Sequence, residues 1–249
     1  MKQLFIIVLT LISLSIGATP ASIVYDISNN RIVSIQGNDD QRPIASLSKL
    51  MTAIVVLDSN VSMNEPMIIN RRVGSHLPQR EYSRLELLHA MLIKSDNGAA
   101  ETLAEYHPGG RRRFMLAMNL KAQKLKLLHT RFIDPSGLSI FNISTLYEVG
   151  IMLAVANQYE LIRNISTLKE VQLGAQKKNQ SINFFNTNYN TLNQFRDIVV
   201  SKTGFTNPAG FCMGIVLTRR GQEFAVVVLG EKNKNQRTAT VNRIMQELS

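Results

Sequence analysis

Tryptophan is missing from this chain, and cysteine occurs once, at Cys212. A lone thiol excludes an internal disulfide, so 249 residues must be held by a buried core rather than by staples. Cys212 stands in an apolar, strand-like run, the setting of a buried thiol rather than a nucleophile. Histidine is scarce too. His76, His89, His107 and His129 are scattered, with no H-E-x-x-H pattern and no cysteine cluster, so the sequence asks for neither a metal nor another cofactor. Acidic residues are outnumbered, 18 against 28 lysines and arginines, for a formal charge of +10. Nucleic acid is a poor partner for that excess. The densest basic run is only Arg111 to Arg113, and the tyrosines do not interleave with the basic residues. A polyanionic wall or an anionic membrane surface, attracted diffusely, fits better.

Long apolar runs are confined to the start of the chain. Lys2, the apolar stretch Leu4 to Ile16 and the small residues Gly17, Ala18 and Ala21 read as a secretory signal over residues 1–21. Cleavage is expected after Ala21 or a few residues earlier. The run is short for a spanning helix, and no later stretch suffices. The expectation is an exported protein, soluble in the periplasm after cleavage, with a retained anchor as the alternative.

Residues 22–249 read as one domain with strands at both ends. Ser22 to Ile27 and Arg31 to Ile35 form a hairpin through Ser28-Asn29-Asn30. Three strong strands come late, Asp197 to Phe205, Phe211 to Thr218 and Glu223 to Leu229, the last two joined tightly at Arg219–Gln222. Between them the chain is almost purely helical, an inserted lobe of about residues 60–160. Its helices start at the capping box Ser83–Glu86, at Ala99, at Arg112 with an apolar stripe reaching Leu128, and at a Ser144 cap. Ile165 to Leu173 and Ile182 to Phe185 read as minor strands, Asn186 to Gln194 as an asparagine-rich loop, and Gln236 to Leu248 as a closing helix. The architecture expected is an α/β (α+β) fold, one antiparallel sheet covered by terminal helices with the helical lobe beside it.

Three short motifs carry chemistry. In P-I-A-S-L-S-K-L-M-T-A-I-V-V-L, Pro43 to Leu57, Ser46 and Lys49 share one face of a helix start. A lysine held there in partial burial loses pKa and can take the hydroxyl's proton. The motif is weak alone. About one S-x-x-K is expected by chance in a chain this long, and Ser166–Lys169 is a second. A plain cap at Ser46 or Ser48 is the simpler account. Ser95-Asp96-Asn97 falls at a break between two helices, where capping alone would also explain it. Lys202-Thr203-Gly204 lies on the first late strand, and such a triplet arises by chance in roughly one chain in twenty. Its glycine clears space for a close approach, while its lysine and threonine suit a carboxylate-bearing ligand. An edge-strand glycine before a turn is the bland alternative. The ordered trio S-x-x-K, S-x-N and K-T-G is the signature of active-site-serine penicillin-binding proteins and class A β-lactamases.

The chain resembles the low-molecular-mass penicillin-binding proteins of the D-alanyl-D-alanine carboxypeptidase and endopeptidase family. The likeness rests on P-I-A-S-L-S-K-L-M-T-A at Pro43 to Ala53 and E-L-L-H-A-M-L-I-K-S-D-N-G-A-A-E at Glu86 to Glu101. T-R-F-I-D-P-S-G-L-S at Thr130 to Ser139 and S-K-T-G-F-T-N-P-A-G-F at Ser201 to Phe211 extend it. The resemblance is nearest to the endopeptidase branch, a bare catalytic domain without the added β-rich domain and amphipathic tail of many relatives. It implies a five-stranded transpeptidase-like sheet, Ser46 as nucleophile and Lys49 as general base, kept neutral with help from Lys202. It also implies Ser95 as proton relay, and Asn97, Lys202, Thr203 and Gly204 around the substrate. Backbone N–H groups of Ser46 and Phe205 would hold the oxyanion, and Arg237 would stand near a substrate carboxylate. The partners implied are cross-linked peptide stems of peptidoglycan, with β-lactams as covalent inhibitors.

Three other readings compete. A carboxypeptidase would remove a terminal D-alanine from pentapeptide stems. A class A β-lactamase would need a glutamate for its deacylating water, but Arg131 to Ile140 offers only Asp134, and Glu148 and Glu160 fall in or beside a helix. A non-catalytic wall-binding module would have no need of the intact trio.

Overall fold

β-branched runs from the two ends of the chain meet in one sheet. The computed structural model describes residues 19–174 and 181–248, so the expected signal falls mostly outside the described residues. β1 (Ala21–Asp26) and β2 (Arg31–Gln36) form the hairpin, with Asn30 in the left-handed conformation at φ 52°. Ala21 is buried and pairs with Leu229, so a cut ahead of it keeps the whole strand. β3 (Arg42–Pro43) leads through a 3₁₀ turn, Ala45–Leu47, into α1 (Ser48–Asp58). The lobe follows with β4 (Pro66–Ile68), β5 (Glu81–Ser83), α2 (Arg84–Ile93), α3 (Asn97–Glu105) and α4 (Gly110–Lys124). β6 (Ile143–Ser144), α5 (Leu146–Ala156), α6 (Glu160–Ser166), β7 (Glu170–Leu173), β8 (Ile182–Phe185) and α7 (Tyr189–Gln194) lead back. β9 (Ile198–Thr206), β10 (Gly210–Arg219), β11 (Gln222–Glu231) and α8 (Lys234–Glu247) complete the order.

The main sheet runs β2-β1-β11-β10-β9, antiparallel throughout. β11 is central and apolar without a break from Phe224 to Leu229, because both of its faces are covered. On one face Val24, Met213, Ile215, Val226 and Val228 pack against Val241, Ile244 and Met245 of α8. The other face, with Ile23, Tyr25, Val216 and Val227, is covered by α5, a helix from inside the chain rather than a terminal one. Its sequence L-Y-E-V-G-I-M-L-A-V-A is apolar almost all round, and Leu153 sits against Gly214, where an added Cβ would lie 3.0 Å from Leu153 Cδ1. α1 is buried over Ser48–Val56, so its polar side chains must find partners. Thr52 Oγ1 donates to the Pro135 carbonyl at 2.6 Å, and Ser48 Oγ donates to the Ala45 carbonyl at 2.9 Å.

The capping box at Ser83 forms with both halves, and the turn before β11 has Arg220 at φ 52° and Gly221 at φ 77°. Four local expectations shift. Thr145, not Ser144, caps α5, because Ser144 pairs with Arg42 in a short ladder. α4 stops at Lys124 because Lys126 turns left-handed (φ 60°), which buries Leu127 and leaves Leu128 80% exposed. Ile165 lies in the last turn of α6 instead of opening a strand. The asparagine-rich stretch ends in α7, which buries Leu192 in the α8-side core. Leu153→Ala is expected to lower stability by about 2–5 kcal/mol, measured as a shift in the urea unfolding midpoint.

Candidate active site

Ser46 lies in the 3₁₀ turn that enters α1, after Ala45, which holds an uncommon left-handed backbone at φ 47°. Lys49, one helical turn on, is wholly buried. Its Nζ lies 2.9 Å from Ser46 Oγ, 2.8 Å from Asn97 Oδ1 and 2.6 Å from the Ser136 carbonyl oxygen. A carbonyl oxygen only accepts. A neutral amine has two hydrogens and one lone pair, so Asn97 and Ser136 can take both hydrogens while the lone pair faces the Ser46 hydroxyl. Burial pushes the Lys49 pKa down to about 7, with Asp134 and Asp96 pulling the other way.

The turn between α2 and α3 supplies Ser95, and the first residue of α3 supplies Asn97. Ser95 is left-handed (φ 63°), and Asp96 between them points inward as the α3 cap, accepting from Ala99 N at 2.8 Å. It also accepts from Ser75 Oγ and from His76 N, at 2.9 Å and 2.6 Å. With Asp96 anchored in the lobe, its two neighbours are left for the cleft.

β9 forms the opposite wall. Lys202, buried, donates to Ser95 Oγ at 2.9 Å and to the Thr203 carbonyl at 2.8 Å. Its pKa lies well below the usual lysine range, by burial first and then by repulsion from Lys49 and Arg237. Burial is the main cause for Lys49, as its place at the helix start leads one to expect, and the help expected from Lys202 is not among the causes. Thr203 Oγ1 is 2.7 Å from Thr187 Oγ1. At Gly204 an added Cβ would stand 3.0 Å from Ser46 N and 3.1 Å from Ala45 Cβ, so the object approaching this glycine is the turn that carries Ser46. Phe205, the next residue, is half exposed and lies on Phe211 with ring centroids 4.1 Å apart.

Sequence reading gave no role to the loop after α4, although its residues were part of the resemblance. The Asp134 carboxylate accepts from Ser136 N, Ser136 Oγ, Gly137 N, Leu138 N and Ser139 N. Those donors hold its pKa below the usual carboxylate range despite burial. Asn142 Oδ1 accepts from Ile133 N, and its amide donates to Ser48 Oγ. Together they aim the Ser136 carbonyl at Lys49. Gly137, at φ 82°, lets the loop touch the Ser46 turn, since a Cβ there would fall 1.9 Å from the Ala45 oxygen. D-P-S-G is a turn signature, but its turn carbonyl leaves no trace in side-chain chemistry. Thr187 was also missed, inside a stretch read as loop.

Between these walls is a cleft of about 520 Å³ whose lining has no carboxylate and three cations, Lys94, Lys234 and Arg237. Arg237 is 4% exposed, its pKa is lowered by burial, and its Nε has no hydrogen-bond partner among the described residues. An unpaired buried cation suits an anionic ligand. Glu148 is elsewhere, accepting from His129 N and Thr130 Oγ1. The second S-x-x-K does not form a pair: Ser166 Oγ accepts from Ser201 N, and Lys169 donates to Asn193 Oδ1. Gly204→Ala is expected to leave the free energy of unfolding within about 1 kcal/mol of its original value, because the Ser46 turn need give only a few tenths of an ångström. Acylation of Ser46 by a fluorescent penicillin, followed by stopped flow, should nonetheless slow at least about tenfold.

A profile of the family described as D-alanyl-D-alanine carboxypeptidase matches residues 13–233. The D-alanyl-D-alanine endopeptidase of Escherichia coli K12 is 34% identical over 235 residues, covering 91% of this chain and 76% of the relative. The protein of the same name from Pseudomonas aeruginosa is 35% identical over 244 residues, covering 93% and 77%. The fold superposes on penicillin-binding protein D2 of Listeria monocytogenes, solved in its ampicillin-bound form. There the TM-score is 0.83 and identity 27%, over 93% of this chain and 96% of that one. The Streptomyces K15 DD-transpeptidase shares the fold at TM-score 0.83 and 22% identity, over 90% and 94%. The three motifs therefore stand in the sheet-and-lobe frame of the penicillin-binding peptidases, and the chain belongs to the D-alanyl-D-alanine carboxypeptidase family of serine-type DD-peptidases.

Proposed function

We propose that this protein is a D-alanyl-D-alanine endopeptidase that hydrolyses peptidoglycan cross-links through an acyl-enzyme on Ser46. The observation that carries the mechanism is the Lys49 amine, with two carbonyl acceptors for its hydrogens and its third contact on Ser46 Oγ. Ser46 Oγ attacks the carbonyl of a D-alanine residue as its proton passes to Lys49. The oxyanion is held by the N–H groups of Ser46 and Phe205. Ser95, hydrogen-bonded to Lys202, relays to the departing amine the proton that Lys49 took up, the C–N bond breaks, and water then releases the acyl group and returns a proton to Ser46.

In a cross-link the departing amine is the diaminopimelate side chain of the neighbouring stem, and its α-carbon bears a carboxylate. That carboxylate meets the Arg237 guanidinium, buried and without a partner at Nε among the described residues. A terminal D-alanine presents the same group, so Arg237 equally favours the second reading, a carboxypeptidase. The endopeptidase is preferred because relatives bearing that name are 33–35% identical, while those named carboxypeptidases are 25–26% identical. Among the described residues the cleft lining holds no carboxylate to drive water, which argues against fast β-lactamase turnover. Penicillins acylate Ser46 through the same contacts and persist as inhibitors. The site of action is the periplasm, and the excess of basic residues supports loose attraction to the wall or an anionic membrane surface.

Purified protein given defined cross-linked dimers and, separately, pentapeptide monomers is expected to convert the dimers to monomers faster than it trims the pentapeptide. Ser46→Ala should abolish both that hydrolysis and covalent penicillin labelling. Trimming without dimer cleavage would replace the endopeptidase with the carboxypeptidase, and a labelled Ser46→Ala protein would remove Ser46 from the mechanism.

A further inference from the structure

A second hollow, about 650 Å³, opens at the far end of α3 from the cleft, with Ile68, Asn70, Arg71, Arg72, Gln79 and Tyr106 in its walls. The segment 70–76 joins the two places as a strap laid antiparallel to α3. At the hollow, Asn70 N donates to Thr102 Oγ1 at 2.8 Å and Asn70 Nδ2 to Glu105 Oε1 at 2.7 Å. Midway, Gly98 N donates to the Gly74 carbonyl at 3.0 Å, and Gly98 has no room for a side chain, since a Cβ would fall 2.3 Å from the Asn70 oxygen. At the cleft the strap ends on Asp96, between Ser95 and Asn97. There His76 meets the edge of Phe184, whose neighbour Phe185 lines the cleft.

Arg71 and Arg72 project from this strap, both exposed, and neither guanidinium has an ion-pair or hydrogen-bond partner among the described residues. Among the described residues the one carboxylate in the hollow, Glu105, is engaged by the Asn70 amide. Ile68 and Tyr106 leave apolar surface beside the arginines, 53% and 37% exposed. α3 is nine residues long, so hollow and cleft are separated by about 13 Å. That is the reach of about four extended peptide residues. Building on the peptidoglycan reading above, we propose that the hollow is a second subsite for the same substrate. It holds the carboxylate-bearing part of a peptide stem that continues out of the cleft, with Arg71 and Arg72 on the carboxylates and Ile68 and Tyr106 against the aliphatic portions. The cationic cleft and the cationic strap then form one track for an anionic chain.

The test compares wild-type protein with the double variant Arg71→Gln/Arg72→Gln. The substrates are a cross-linked dimer with complete stems and a penicillin, which occupies the cleft alone. KM for the dimer is expected to rise about fivefold or more, as two exposed ion pairs would give. kcat and the penicillin acylation rate should stay unchanged, and the gap in KM should narrow as salt is raised. An unchanged KM overturns the proposal, as does an equal loss toward dimer and penicillin. If wild-type protein cleaves no dimer, the cross-link reading fails by itself. The subsite is then judged by binding of an uncross-linked stem peptide to Ser46→Ala protein. Affinity lowered by the arginine changes supports it, and equal affinity overturns it.

Discussion

One amine governs this molecule. Lys49 Nζ is buried without a salt-bridge partner among the described residues, and it is held by a serine hydroxyl, an amide oxygen and a backbone carbonyl at 2.6–2.9 Å. Burying a charge is costly, and the cheapest relief is to lose the proton. The same desolvation that would make an ordinary lysine a liability here lowers the pKa of an amine next to a hydroxyl, as the proposed base requires. The three contacts come from three elements: the 3₁₀ turn, the start of α3, and the loop after α4. Moving any one of them changes how many hydrogens the amine can place.

The surroundings follow from that constraint. α1 has to be buried on nearly every side to dehydrate Lys49, which is why its sequence reads S-K-L-M-T-A-I-V-V with each polar group bonded, Ser48 to the nearby Ala45 carbonyl and Thr52 and Lys49 to the loop after α4. β9 has to pass against the Ser46 turn, which Gly204 permits. The loop has to present a carbonyl rather than a charge, and Asp134 achieves this at second hand by drawing four backbone N–H groups and the Ser136 hydroxyl onto one carboxylate. A second buried amine, Lys202, has its pKa lowered as well, in part by Lys49, while the cations of the pocket lining are Lys94, Lys234 and Arg237, with no acid among its described residues.

Much of this frame could be read from residue types. The hairpin, the three late strands and the capped α2 each follow local rules, and the sheet is the way they bury their apolar faces together. S-x-x-K, S-x-N and K-T-G name side chains, and the structure brings Ser46, Lys49, Ser95, Asn97 and Lys202 to one place. What escaped was set by backbone or by long-range pairing. The Ser136 carbonyl is chemically like every other carbonyl in the chain. Thr187 matters because Thr203 lies across from it, a partnership no local window contains. Leu128 was expected inside and Leu127 is there instead, because one left-handed residue, Lys126, displaced the helical register. Ser166–Lys169 has the same spelling as Ser46–Lys49 but different neighbours, and burial around the lysine is what separates them.

The account is tested most directly by titrating Lys49 itself. With lysine side chains carbon-13 labelled at Cε, and the Lys49 resonance assigned by its loss in Lys49→Arg, the shift is followed from pH 5 to pH 11. The amine is expected to lose its proton around a midpoint of about 7, leaving it neutral above that pH. A midpoint near the ordinary lysine value of 10.5 would mean a charged amine at working pH, and the base proposed here would not exist.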